Sequence, residues 1–280
     1  MTRIVAVTNP KGGVGKSTVS ANLSAVAAKR GLRPLLIDLD PQGSSSYLSG
    51  VDVEGDRSAG SMFQDEPVPP SMLTYSTKFG YDVVPAGSNL IQAEDWLHKA
   101  TLGENRLRLL FRRDPELQSK YDFIVMDTAG YKGRLLTSAL IACTDILIPA
   151  EASVLTLNEF PDFFQLISHI SELREGVGDV RLKIDGVIFN KVRESTSAAA
   201  KNIQDVVDSI EYLNQVPGMI AKYHVAKTHI PVATAIEEAG FARSPVVVAR
   251  PKANVSLRYG ELFDELFSTQ AKKENEACPC

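Results

Sequence analysis

Largely apolar runs of strand length recur along the chain at residues 4–7, 35–37, 81–86, 121–126, 145–149 and 183–189, of which 4–7 and 35–37 are continuous. Runs without polar alternation predict strands buried on both faces, as in a parallel sheet. Between them, apolar residues take helical spacing. Val19, Leu23, Val26 and Ala27 predict a helix ended by Lys29, Arg30 and a Gly31 cap. Further helices are expected around 90–97, over 104–117 with Leu107, Leu110 and Phe111 inward, and over 155–174. In the last, Phe160, Phe163, Phe164, Ile167 and Ile170 form the core face, and a final helix over 255–267 turns Tyr259, Leu262, Phe263 and Leu266 inward. Residues 51–80 are irregular, rich in Gly, Ser, Pro and acids, and read as a surface excursion with one short helix. Alternating strands and helices predict an α/β fold. Residues 1–268 are expected to form a single domain, a largely parallel twisted sheet covered by helices on both faces, and 269–280 a polar, disordered tail.

Composition changes this picture little. A chain of 280 residues, 44% of them hydrophobic, can bury one large core. A net charge of −4 argues against a globally basic nucleic-acid protein but leaves room for a local basic face. Cys143 reads as core, and Cys278 and Cys280 lie in the tail, so the three cysteines make no metal framework and fit a reducing cytosol. No apolar run approaches the ~20 residues that span a bilayer, and no signal peptide precedes Ile4. A soluble, cytoplasmic protein is expected.

The chemistry is concentrated after the first strand, in Asn9-Pro10-Lys11-Gly12-Gly13-Val14-Gly15-Lys16-Ser17-Thr18. Strand, glycine loop and helix N-terminus together make a phosphate cradle. Glycines let backbone N–H groups approach an anion, and the helix end adds unpaired donors and partial positive charge. Lys16 can reach β- and γ-phosphates, Ser17 can ligate Mg²⁺, and Thr18 can bond a phosphate oxygen. A turn that binds nothing would account for the glycines but not for Gly-Lys-Ser-Thr at the first helical turn. Pro10 stands where the usual phosphate-loop pattern has its first glycine, with Lys11 beside it.

Alternation puts Asp38 and Asp40 on one side at the carboxyl end of the second strand, where open α/β sheets bind ligands. Turn formation is the other reading of these two acids. Asp127 follows four apolar strand residues, as does the acid that helps hold Mg²⁺ in phosphate-loop enzymes. Asn190 closes the strand at 183–189. From Asn214 to Tyr259 six basic residues, Lys222, Lys227, Arg243, Arg250, Lys252 and Arg258, face only Glu237 and Glu238. Such a stripe is either a solvated face or a phosphate-contacting surface.

The loop Lys11-Gly12-Gly13-Val14-Gly15-Lys16-Ser17-Thr18 resembles the deviant Walker A motif of the ParA/MinD superfamily, and the resemblance runs over roughly residues 2–268. It implies that Gly12 to Thr18 bind ATP, that Lys11 crosses a dimer interface to the partner's phosphates, and that Asp40 orients or activates the attacking water. It also implies Mg²⁺ held by Ser17 and by Asp127 through water, with Asp38 nearby. Asn190 becomes a candidate adenine contact, with capping of its strand end as the alternative. Many ParA relatives continue after the Asp127 position with a Pro-Pro-Ser-Leu-Gly-like segment. Here Thr128-Ala129-Gly130-Tyr131-Lys132-Gly133-Arg134 replaces it, and Lys132 and Arg134 read as solvated loop charges.

By this resemblance the expected function is a slow, partner-stimulated ATPase that dimerises on ATP and binds DNA without sequence preference. Lys222, Lys227 and Arg250 are the candidate DNA contacts. It would segregate plasmid or chromosomal DNA, or position another large cargo on the nucleoid, with a ParB-like or cargo-adaptor partner. No helix-turn-helix precedes Ile4, so sequence-specific autorepression is not expected. A MinD-like membrane ATPase is disfavoured because Lys272-Lys273 is followed by Glu274 and Glu276 with little apolar face. An iron–sulfur ATPase needs cluster thiolates, and only Cys143 lies within the fold. A metabolic ATP-dependent enzyme would need a second substrate pocket.

Overall fold

Eight strands form one sheet in the order β3-β4-β2-β5-β1-β6-β7-β8, parallel throughout except for the antiparallel β3–β4 edge. They are β1 (Arg3–Val7), β2 (Pro34–Leu39), β3 (Tyr75–Ser76), β4 (Asp82–Val84), β5 (Phe123–Thr128), β6 (Asp145–Glu151), β7 (Lys183–Asn190) and β8 (Tyr223–Val225). The computed structural model describes residues 2–53, 55–176, 182–193, 197–215 and 223–268. The candidate DNA contact Lys222 and the expected tail at 269–280, with Cys278 and Cys280, lie outside the described residues.

The unbroken apolar strands are buried on both faces, each face feeding its own core. Ala6, Leu35, Ile37, Ile124, Met126, Ile146 and Ile148 point into one cluster. Val5, Val7, Leu36, Phe123, Val125 and Leu147 point into the other. Period-two alternation within a wholly apolar strand thus sorts side chains between two helical layers. The second layer contains α1 (Lys16–Lys29), α9 (Thr234–Phe241), α10 (Val246–Ala249) and α11 (Asn254–Phe263). The first contains α3 (Ala93–Lys99), α4 (Arg106–Arg113), α6 (Arg134–Ala142), α7 (Val154–Gly176) and α8 (Ser197–Leu213). The helix after β1 ends as expected. Gly31 sits at φ +82°, and the Leu32 and Gly31 N–H groups return to the Ala27 and Ala28 carbonyls.

Three features depart from the sequence reading. The helix expected over 104–117 is two helices, α4 and α5 (Pro115–Lys120). Pro115 has no N–H to continue α4, and Asp114 instead caps α5 by accepting the Leu117 N–H at 3.0 Å. The segment 51–80 is no mere surface excursion. Its 3₁₀ turns Ala59–Met62 and Pro70–Leu73 bury Ala59, Met62, Phe63 and Leu73 in the first core. Finally, α2 (Ser44–Leu48), α8, the edge strand β8, α9 and α10 form where no element was expected. The five aromatic and aliphatic core positions expected in α7 are all buried, and Phe263 and Phe267 pack edge-on against Phe123 at 5.5 and 5.0 Å. Among the described residues no helix is long and apolar enough to cross a membrane.

Candidate nucleotide-binding site

Sheet register brings the acids together. Asp127 of β5 stands beside Val7 of β1 on one side and Asp38 of β2 on the other, so both carboxylates lie at the end of the sheet where β1 gives way to the glycine loop. The loop itself is pinned at both ends. Asn9 donates from Nδ2 to the Pro149 carbonyl at 2.8 Å and accepts the Lys11 N–H at 2.9 Å. At the far end, Asn190 donates from Nδ2 to the Val14 carbonyl at 2.8 Å, and Lys191 donates from Nζ to the Gly13 carbonyl. Gly15, the cap of α1, sits at φ +91°, and a Cβ there would lie 2.2 Å from Asn190 Nδ2. Only glycine meets both demands.

Lys16 is buried in the first turn of α1, with its Nζ 3.2 Å from the Lys11 carbonyl oxygen. Burial draws its pKa below the ordinary lysine value, while the charges of Asp127 and then Asp40 act to keep the proton on. Asp127 is fully buried. Its Oδ1 accepts from Ser20 at 3.3 Å, and its Oδ2 has no hydrogen-bond partner. Burial first, and then the neighbouring Asp38, push its pKa up to about 8, against the pull of Ser17 and Ser45. Asp38 is equally buried, and burial raises its pKa too, yet its oxygens are engaged. Its Oδ2 accepts from Ser46 Oγ at 2.6 Å and Ser46 N–H at 2.8 Å, and its Oδ1 accepts the Asp40 N–H at 3.1 Å. Asp38 therefore shapes the turn that carries Asp40, which is half-buried and accepts the Gln42 N–H at 3.0 Å.

This donor set suits a hard divalent cation that arrives with phosphate. Asp127 offers one unpartnered buried oxygen beside Ser17. Among the described residues no group of three or more His, Cys, Asp and Glu is gathered to hold a metal alone. Phosphate oxygens and water would complete the shell, as magnesium prefers. The altered loop after β5 closes over the same place. An added Cβ on Gly130 would lie 3.1 Å from Lys16 Nζ and 3.4 Å from Gly12 Cα.

An AAA domain model matches residues 2–178. The chromosome partitioning protein ParA of Myxococcus xanthus is 32% identical over 73% of this chain and 70% of that protein. The chain belongs to the ParA/Soj/MinD family of deviant Walker A ATPases. Within it, the sporulation initiation inhibitor Soj of Bacillus subtilis is 28% identical and covers 95% of this chain and 98% of its own. Among solved structures, cobyrinic acid a,c-diamide synthase of Mycobacterium smegmatis, with bound ADP and magnesium, superposes at a TM-score of 0.78. It is 25% identical over 100% of this chain and 98% of that one.

Other positions singled out in this ParA/Soj/MinD chain lie at the surface. Lys227 is exposed, and Arg250 pairs with Glu238 at 3.2 Å, both side chains more than half exposed. Arg243 pairs with Asp52 at 2.6 Å. A cavity of about 420 Å³, lined by Phe189, Val207, Ile210, Tyr223, His224 and Lys227, opens between α8 and the β7–β8 edge. It holds none of the buried acids or Lys16, and the charge convergence makes the glycine loop the better candidate site. The sequence reading passed over Ser20, Ser45, Ser46 and Lys191. Ser20 and Lys191 meet partners more than 100 residues away, whereas Ser46 lies eight residues from Asp38 and was within reach of a local reading.

Proposed function

We propose that the chain binds ATP with Mg²⁺ on the glycine loop, dimerises across that face and hydrolyses the nucleotide slowly. The cycle would partition plasmid or chromosomal DNA, or position a large cargo, from the cytoplasm through non-specific binding to nucleoid DNA. A ParB-like or cargo-adaptor partner would stimulate hydrolysis. The carrying observation is the convergence of buried Lys16 with Asp38, Asp40 and Asp127 on one pinned loop. Membership of the ParA/Soj/MinD family supports the rest.

In this reading the N–H groups of Gly12 to Ser17 take the phosphate oxygens, Thr18 adds a hydroxyl, and Lys16 meets the β/γ charge. Magnesium, held by Ser17 and Asp127 with Asp38 close by, would neutralise charge between the β- and γ-phosphates. Asp40 orients water for in-line attack on the γ-phosphorus, and the bond to the β–γ bridging oxygen breaks. Asn190, which braces Val14 beside the loop, is the candidate base contact. Lys11 has its N–H and carbonyl fixed by Asn9 and Lys16, so its side chain is carried on a rigid mount suited to reaching a second copy.

The test is an Asp40→Ala and Lys11→Ala pair, followed by size-exclusion chromatography with light scattering in ATP and Mg²⁺. Asp40→Ala should bind ATP, lose hydrolysis by about 100-fold or more, and accumulate as a dimer. Lys11→Ala should bind ATP and stay monomeric. A monomeric Asp40→Ala protein or a dimeric Lys11→Ala protein overturns the scheme.

A further inference from the structure

The loop between β5 and α6 is firmly held. Its anchor is Glu94 of α3, about 40 residues away in the chain. One carboxylate oxygen accepts the Arg134 N–H at 2.9 Å and the other the Leu135 N–H at 3.0 Å. Glu94 thus caps α6 bidentately from outside, since the N-cap residue Gly133 supplies no side chain. Tyr131 stands beside the same carboxylate, and burial first, then the charges of Glu94 and Asp40, raise its pKa. The fit is close. An added Cβ on Gly133 would lie 2.3 Å from Glu94 Oε1 and 2.8 Å from Tyr131 Cε2. A further tie joins Arg134 to Glu104 at 3.0 Å. At the other end of this short loop, Gly130 rests against Lys16 and Gly12.

We propose that Glu94 is a positioning residue for phosphoryl transfer. Through Tyr131 and the α6 N-terminus it holds residues 129–134 against the glycine loop and Asp40. This deepens the proposed function and rests on its assignment of Asp40 to the attacking water. Glu94 touches none of the groups assigned to hold the nucleotide, and Asn9 and Asn190 pin the glycine loop independently of it, so its loss leaves binding in place. What it fixes is the side of the site from which water attacks, and small misplacement there slows the step.

The test is steady-state ATP hydrolysis and ATP affinity, the latter by titration with a fluorescent ATP analogue, for Glu94→Gln and Tyr131→Phe, with Asp40→Ala alongside. An amide offers one acceptor oxygen and turns an NH₂ toward a backbone N–H, so Glu94→Gln loses one helix cap. The expected result is a fall in kcat of about tenfold for Glu94→Gln, the scale of one weakened hydrogen bond, and a smaller one, about threefold, for Tyr131→Phe, which keeps the ring but removes the hydroxyl beside Glu94. Affinity should stay within about twofold of wild type. The double variant should be no slower than Glu94→Gln, because both act through one carboxylate.

Wild-type kcat in both single variants, or affinity falling in step with kcat, overturns the proposal. If Glu94→Gln does not fold, Tyr131→Phe, which keeps both caps, carries the test alone. If Asp40→Ala hydrolyses ATP like wild type, or the wild type hydrolyses none, the proposed function fails and this proposal with it. If Asp40→Ala is inactive while Glu94→Gln and Tyr131→Phe match wild type, only the role of Glu94 fails.

Discussion

Two charged regions of this molecule use the same residue types to opposite effect. At the carboxyl ends of β1, β2 and β5, Lys16, Asp38 and Asp127 are all less than 7% exposed, and one Asp127 oxygen has no partner. In the C-terminal region, Arg243, Arg250 and Arg258 each stand beside an acid at the surface: Asp52, Glu238 and Glu261. Buried charge has no water to solvate it, so its partners must come from the protein or from a ligand. Exposed pairs are screened and contribute little. The first region is therefore unbalanced in a way that phosphate and a divalent cation would correct. In the second the three arginines are already paired, and a phosphate group meeting Arg250 would have to displace Glu238. Convergence under burial is thus a sharper guide to chemistry than a count of charges.

The hardest blow to this contrast is Lys16→Ala. Removing the buried cation should weaken ATP binding by about 100-fold or more, the scale of a lost charge-assisted phosphate contact. Isothermal titration checks it, and unchanged affinity would move the site elsewhere. Gly15→Ala tests the pinning rather than the charge. It forces a side chain into φ +91° and against Asn190, at a cost of about 1–3 kcal/mol read by urea denaturation. A variant as stable as wild type would mean the loop has slack.

On the balanced side, Lys227→Glu should weaken binding to random-sequence duplex with ATP and Mg²⁺ about three- to tenfold. Arg250→Glu should do less at moderate salt, because Glu238 already offsets that charge. Equal effects would show that the Arg250–Glu238 pair is open in the complex, and no effect from either would remove this face from DNA binding.

Glu265 marks where the two regimes meet, and its effect is the smallest. Its carboxylate accepts the Lys227 and Thr228 N–H groups at 2.7 and 2.9 Å, so it fixes the backbone that carries Lys227. Burial alone would raise its pKa, but those bonds and the nearby His224 win and hold it below the ordinary 4.5. A depressed carboxylate contributes stability above its unfolded pKa and loses it as pH falls through the folded one. Glu265→Gln should cost about 1 kcal/mol at pH 7, and the gap to wild type should shrink as pH drops below about 4. A pH-independent gap would mean that the bonds do not depend on its charge.

What the sequence made legible was whatever is contiguous. Strand, glycine loop and helix follow one another, so Lys16, Ser17 and the Gly31 cap could be placed from residue order. Asp38 and Asp127 could be placed because each ends an apolar strand. The aromatic face of α7 was legible from its spacing. The helix expected over 104–117 breaks at Pro115, because apolar spacing that runs on to Leu117 does not by itself mark the missing N–H. The segment 51–80 hid its core role because Ala59, Met62, Phe63 and Leu73 follow no period. They reach the core through 3₁₀ turns rather than a regular element. Glu94 was invisible for a different reason. Its partners are backbone N–H groups of residues 134 and 135, and nothing in an acid's neighbourhood along the chain says which distant helix it caps.

Helix α1 has one consequence of a mechanical kind. Val19 through Ala27 are at most 3% exposed, so the helix has no free side in its middle turns. Its serines and Asn22 satisfy themselves on its own carbonyls. Asn22 also accepts the Val247 N–H at 3.1 Å, and Lys29 donates to the Val247 carbonyl, which fastens α10 along its flank. With fourteen residues it is a push-rod about 21 Å long, hemmed in sideways. Lys16 rides at its head, and the segment leading to Arg250 is bolted to its shaft. Any displacement of Lys16 along that axis would bear on α10 through the Asn22 and Lys29 contacts to Val247.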